Sequence, residues 1–156
     1  MTEEQNSIVE EQPKGFGIVH QYVKDFSFEN LLTATDMVTT EIQPNGEISL
    51  SVNITSVQDN LHEVVIKTKV EAKDTEKNKN VYIVEVEYGA IVQVEGFDDI
   101  ETQGILMVEA PRLMFPFVRS NIADATREGG FIPLVMAPVD FLSLYLENAK
   151  TEADSA

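Results

Sequence analysis

Residues 81–96 read VYIVEVEYGAIVQVEG. Tyr82, Val84, Val86, Tyr88, Ala90, Val92 and Val94 occupy alternate positions and are apolar without exception. The intervening set opens with Val81 and Ile83 and then turns acidic at Glu85 and Glu87. Such a period of two marks a β-strand, because successive side chains point to opposite faces of a sheet. One buried face suffices for a strand in a small domain, so the half-apolar, half-acidic second face needs a separate explanation.

Three other stretches share the period. Phe16, Ile18, His20, Tyr22, Phe26 and Phe28 alternate with Val19, Gln21, Val23, Asp25, Ser27 and Glu29. Ile48, Leu50, Val52 and Ile54 alternate with Ser49, Ser51, Asn53 and Thr55. Val64, Ile66, Thr68, Val70 and Ala72 share a face of the stretch that follows the Gln58-Asp59-Asn60 turn. Four strands in succession, three of them with short connections, predict an antiparallel meander. The segment 30–46 has no sustained period and closes on a Pro-Asn-Gly turn signal.

Beyond Gly96 the pattern changes. Residues 97–111 lack a clean period and read as a long connection, a feature that in compact domains usually serves a function. A helix is expected over about 113–128, with Phe115, Val118, Ile122 and Ala125 on one stripe and Pro116 in the first turn. Gly129-Gly130 can stop it in the left-handed conformation. The apolar loop FIPLVMAP leads to a second helix, capped by Asp140 and running to Lys150. The fold class is therefore α+β, a four-stranded antiparallel sheet followed by two helices packed on one sheet face. Residues 1–15 read as a disordered acidic tail, 16–150 as a single domain and 151–156 as a frayed acidic end.

The 156 residues carry 27 carboxylates against 11 basic groups, a formal charge of −16. That balance argues against nucleic acid as a partner and for attraction to basic segments that weakens with salt. No cysteine is present, which excludes disulfides and thiolate metal sites. The first residues have neither a basic start nor an apolar run, and no stretch approaches the roughly 20 apolar residues of a membrane span, so the expected location is the cytoplasm, without membrane insertion.

Chemistry is hard to find. His20 and His62 have no ligand companions at a useful spacing, His20 reading as a core or interface residue and His62 as a solvated one. Asp98, Asp99 and Glu101 do not match a calcium loop. There is no nucleophile elbow and no phosphate-binding glycine loop. No catalytic residue, metal site or cofactor is nominated, and the chain reads as a protein that is not an enzyme. What stands out is apolar supply: a greasy sheet face, two wide helix stripes and two apolar loops exceed what a core of this size uses. The excess points to an oligomer interface, a binding groove, or both.

The stretches YVKDFSFE (22–29), PRLMFPFVRSNIADATREGGF (111–131) and LVMAPVDFLSLY (134–145) closely resemble the SecB family of bacterial protein-export chaperones. The resemblance extends over roughly residues 16–146. It implies a homotetramer, a dimer of dimers, with Phe117, Val118, Asn121, Ile122 and Ala125 on the interface helix. It implies ATP-independent holding of unfolded precursor proteins and delivery to the SecA motor ATPase. Asp25, Glu29, Ile83 and Glu85 match the family's motor-docking acidic face. Tyr82, Val84 and Val86 correspond to part of the client groove. Phe97 and Ile100 from the long connection, and Leu134, Met136, Phe141, Leu144 and Tyr145 from the second loop and helix, complete its expected walls. The family often has Gly-Gly where this chain has Gly89-Ala90, often carries a tryptophan in the segment corresponding to 30–46, and uses a C-terminal tail that here is only TEADSA. Two other readings compete: a relative dedicated to guarding one antitoxin, and a carrier of a hydrophobic small molecule or lipid.

Overall fold

The computed structural model describes residues 13–39 and 44–154. Four strands form one antiparallel sheet: β1 (Gly15–Asn30), β2 (Pro44–Gln58), β3 (Leu61–Asp74) and β4 (Lys79–Glu95). Their order across the sheet is β1-β4-β3-β2. The expected meander therefore holds only for β2, β3 and β4, while β1 lies on the far side of β4. The crossing segment makes this order accessible, with Leu31 N–H donating to the Val81 carbonyl at 2.9 Å before the chain leaves the sheet. It also contains an unforeseen short helix, α1 (Ala34–Thr39). Thr33 and Asp36 cap it reciprocally, each accepting the other's backbone N–H at 3.2 Å.

The alternation in β1 is not uniform either. Register passes from Ile18↔Val92 to His20↔Ile91 and from Val23↔Tyr88 to Asp25↔Glu87, leaving Val19 and Lys24 as extra residues. Each bulge turns the following side chains to the opposite face. His20 and Tyr22 consequently share the outer face, and Gln21 and Val23 the inner one, the reverse of what an unbroken alternation gives. Gln21 on the inner face accepts a hydrogen bond from the Tyr88 hydroxyl at 3.2 Å.

The helices begin earlier than expected. Residues 99–128 are helical throughout: α2 (Asp99–Gly104), a π-turn (Ile105–Glu109) and α3 (Ala110–Glu128). Asp98 caps the start by accepting the Glu101 N–H at 2.8 Å. The extra residue of the π-turn breaks the 3.6-residue period, which is why the apolar positions there look aperiodic. Pro111 takes the first turn, and Pro116 lies inside α3, where it offers no N–H to the carbonyl four residues back. Gly130, at φ +90°, ends α3 as foreseen. Phe131 N–H donates to the Thr126 carbonyl and Gly130 N–H to that of Arg127, both at 3.0 Å. The last helix, α4 (Phe141–Asp154), is capped by Asp140 and continues past the expected limit of 150. Of the expected N-terminal tail, residues 1–12 lie outside the described residues.

The core sits between the inner sheet face and α3. Val64, Ile66, Val84, Val86 and Val92 from the sheet meet Met114, Val118 and Ile122, all fully buried. Complete burial of each such side chain contributes about 1.5–3 kcal/mol.

Candidate functional site

Two surfaces stand out, one on each side of the sheet. On the helical side, α4 lies against the π-turn. Phe141 anchors its start, buried and edge-on to Phe115 at 5.9 Å between ring centroids. Beyond that anchor the helix leaves a cleft on either side of Tyr145. One, of about 380 Å³, is walled by Phe97, Ile105, Val108, Leu142 and Tyr145, with Gly104 among its lining residues and Glu101, Glu109 and Arg112 around it. Arg112 donates to Glu109 at 3.1 Å. The other, of about 470 Å³, is lined by Val52 of β2, Met107 and Tyr145, with Gln103, Asn148 and Glu152 as polar members. The π-turn thus sends Ile105 and Val108 to one cleft and Met107 to the other. The first cleft is walled mainly by apolar side chains, the composition suited to apolar side chains on an extended chain, whereas Gln103, Asn148, Thr151 and Glu152 make the second cleft half polar.

On the opposite side, the register brings Asp25, Ser27 and Glu29 of β1 beside Glu87, Glu85 and Ile83 of β4. Asp25, Glu29, Ile83 and Glu85 are therefore neighbours on one face. Lys67 and Lys69 of β3 flank this group, reaching Glu87 and Glu85 at 3.6 Å each, with Lys69 also 3.0 Å from Glu71. The Lys69 ammonium is held charged to higher pH, chiefly by its hydrogen bond to Glu71 and that carboxylate's charge. Among the described residues Asp25 and Glu29 form no ion pair, so there the negative field is strongest towards β1. At the other end of this face Tyr22 and Lys24 both donate to Glu63. Their hydrogen bonds lower the Glu63 pKa. His20, expected as a core or interface residue, lies outside the core on this outer face, beside the Tyr22 ring at 5.6 Å. His62, expected to be solvated, is half-buried.

The expected groove residues divide. Tyr82, Val84, Val86, Met136 and Phe141 are buried in the chain's own core and line neither of these two clefts. Phe97 and Tyr145 line the clefts, Leu134 and Leu144 are half-buried, and Ile100 is 84% exposed. Val52 is not among the residues expected there, because an apolar residue on a core-facing strand gives no sign that a cleft opens beside it. The expected interface residues divide as well. Val118, Ile122 and Ala125 are buried against the sheet, whereas Phe117 is 49% exposed and stacks on Tyr88 with centroids 6.1 Å apart. Among the described residues no group of His, Asp and Glu could hold a metal ion, and no helix is long and apolar enough to cross a membrane.

The family model described as preprotein translocase subunit SecB matches residues 9–152. The chain belongs to the SecB family. Among curated relatives, the protein-export protein SecB of Paracoccus denitrificans is 39% identical over 82% of this chain and 73% of its own length. That of Nitrobacter winogradskyi is 35% identical over 87% of this chain and 84% of its own. A solved SecB-like chaperone of Mycobacterium tuberculosis, in complex with a ChAD peptide from the HigA1 antitoxin, superposes with a TM-score of 0.65. It covers 80% of this chain and 90% of its own at 10% identity, a likeness of fold.

Proposed function

We propose that this SecB-family chain holds unfolded precursor proteins in the clefts beside α4 and presents them, through its outer sheet face, to the SecA motor. Family membership makes protein export the process it serves. The observation that carries the holding role is the cleft of about 380 Å³ beside Tyr145, walled mainly by apolar side chains and open beside a packed core. No bond chemistry is required. An unfolded client gains roughly 25 cal/mol per Å² of apolar area buried and loses conformational freedom, so each segment binds modestly. Several clefts acting on one chain raise the apparent affinity by about 10²–10⁴ through effective concentration. The assembly that supplies them is a homotetramer, a dimer of dimers, and the half-exposed side of α3 at Leu113 and Phe117 suits a subunit contact. The reaction scheme contains no enzyme, cofactor or metal, and the cytoplasm is where precursors await export.

Binding the unfolded state and not the native one delays folding by mass action. Dilution of a denatured model protein into the assembly is therefore expected to slow its refolding in proportion to chaperone concentration. Glu85→Lys is expected to weaken SecA binding while this delay persists. An unchanged refolding rate would refute the holding role; joint loss of both activities would refute the division between the faces.

A further inference from the structure

A glycine in the middle of a helical run is costly, because it gives up more backbone entropy than alanine and adds no packing. Gly104 ends α2 where the π-turn begins, with φ −63° and ψ −39°, an ordinary right-handed helical conformation that any residue adopts. Its backbone therefore has no need of glycine. Nor do its neighbours: a Cβ built there meets no heavy atom within 4 Å. This differs from Gly89, where the Tyr22 ring lies 2.6 Å from the same position, and from Gly129, where the Phe28 ring fills it. What the missing side chain does provide is room, since Gly104 lines the cleft of about 380 Å³ between Phe97, Ile105 and Tyr145.

We infer that Gly104 is a specificity-determining residue of this cleft, its absent side chain keeping open the space into which a client's aromatic or long aliphatic side chain docks. The inference rests on the holding role and specifies which client side chains this cleft takes. Large apolar walls supply the contact area for such a group. A side chain at 104 would occupy the same volume while satisfying the helix better, so stability and binding should move in opposite directions. A purely structural glycine cannot produce that opposition.

The test uses the full chain, two fluorescently labelled unfolded peptides differing only by Phe→Ala, and the variants Gly104→Ala and Gly104→Leu. Gly104→Ala should raise Tm by about 2–4 °C. Gly104→Leu, with Tm at or above the parent's, should weaken the phenylalanine peptide about tenfold or more and leave the alanine peptide unchanged. Gly104→Ala should fall between parent and leucine variant. A fall in Tm for Gly104→Ala would overturn the inference by showing that the helix needs the glycine. Parent-like phenylalanine-peptide binding by Gly104→Leu, or equal loss of both peptides, would overturn it too. A parent chain that binds neither peptide would instead remove the holding role itself.

Discussion

At the scale of single residues, side-chain chemistry on the outer sheet face is set by a few close neighbours. Gly89 leaves the space over which the Tyr22 ring lies, and Tyr22 donates to Glu63. The Tyr22 phenol is pushed up to about 12, first by burial and then by the hydrogen bond to, and charge of, Glu63. The sign follows from the neutral form being the favoured one. The stability this adds is complete below about pH 10 and fades as the pH rises through 12. In Glu63→Gln the neighbouring charge is gone, so Tyr22 should titrate closer to 10 by ultraviolet difference spectroscopy. An unchanged titration would mean that burial alone sets it. Asp25, Glu29, Ile83 and Glu85 were legible as one face because odd numbers within a strand share a side. The four share a face because the bulge at Lys24 precedes Asp25 and leaves the register unbroken from there to Asn30.

Elements were legible where a period was unbroken and illegible where one residue was inserted. β2, β3 and β4 follow their alternation across nearly their whole length. In β1, two inserted residues reverse the middle of the strand, and no composition signal marks a bulge. In 97–111 the π-turn hides a helix for the same reason. The place of β1 beside β4 depends on a crossing segment whose path the sequence does not encode as a pattern. The end of α3 was readable, since a double glycine after an apolar stripe has one favourable backbone solution. Gly130, at φ +90°, with the Met37 methyl 3.0 Å from a would-be Cβ, should not tolerate a side chain. Gly130→Ala is expected to cost about 1–2 kcal/mol in urea unfolding. A cost near zero would show that the turn can relax.

For the whole molecule, the sequence shows how much apolar side chain there is but not where it lies. A stripe such as Phe115, Val118, Ile122 and Ala125 shows which side of a helix is apolar, not whether the chain's own sheet covers it. Here the sheet does, and the open side of α3 carries Leu113 and Phe117 instead. Likewise Tyr82, Val84 and Val86 support the floor beneath α3, while the clefts open around α4. If the half-exposed side of α3 joins subunits, Phe117→Asp should lower the mass measured by light scattering from that of a tetramer and leave the subunit's circular dichroism intact. A tetramer that survives would place the contact elsewhere.

The central claim, that clients occupy the helical side and leave the acidic sheet face free, is tested most directly by amide hydrogen exchange of the assembly with and without an unfolded client. The account predicts new protection at 97–109 and 141–152, with residues 25–29 and 83–87 unchanged. Protection confined to the sheet face, or none anywhere, would contradict it.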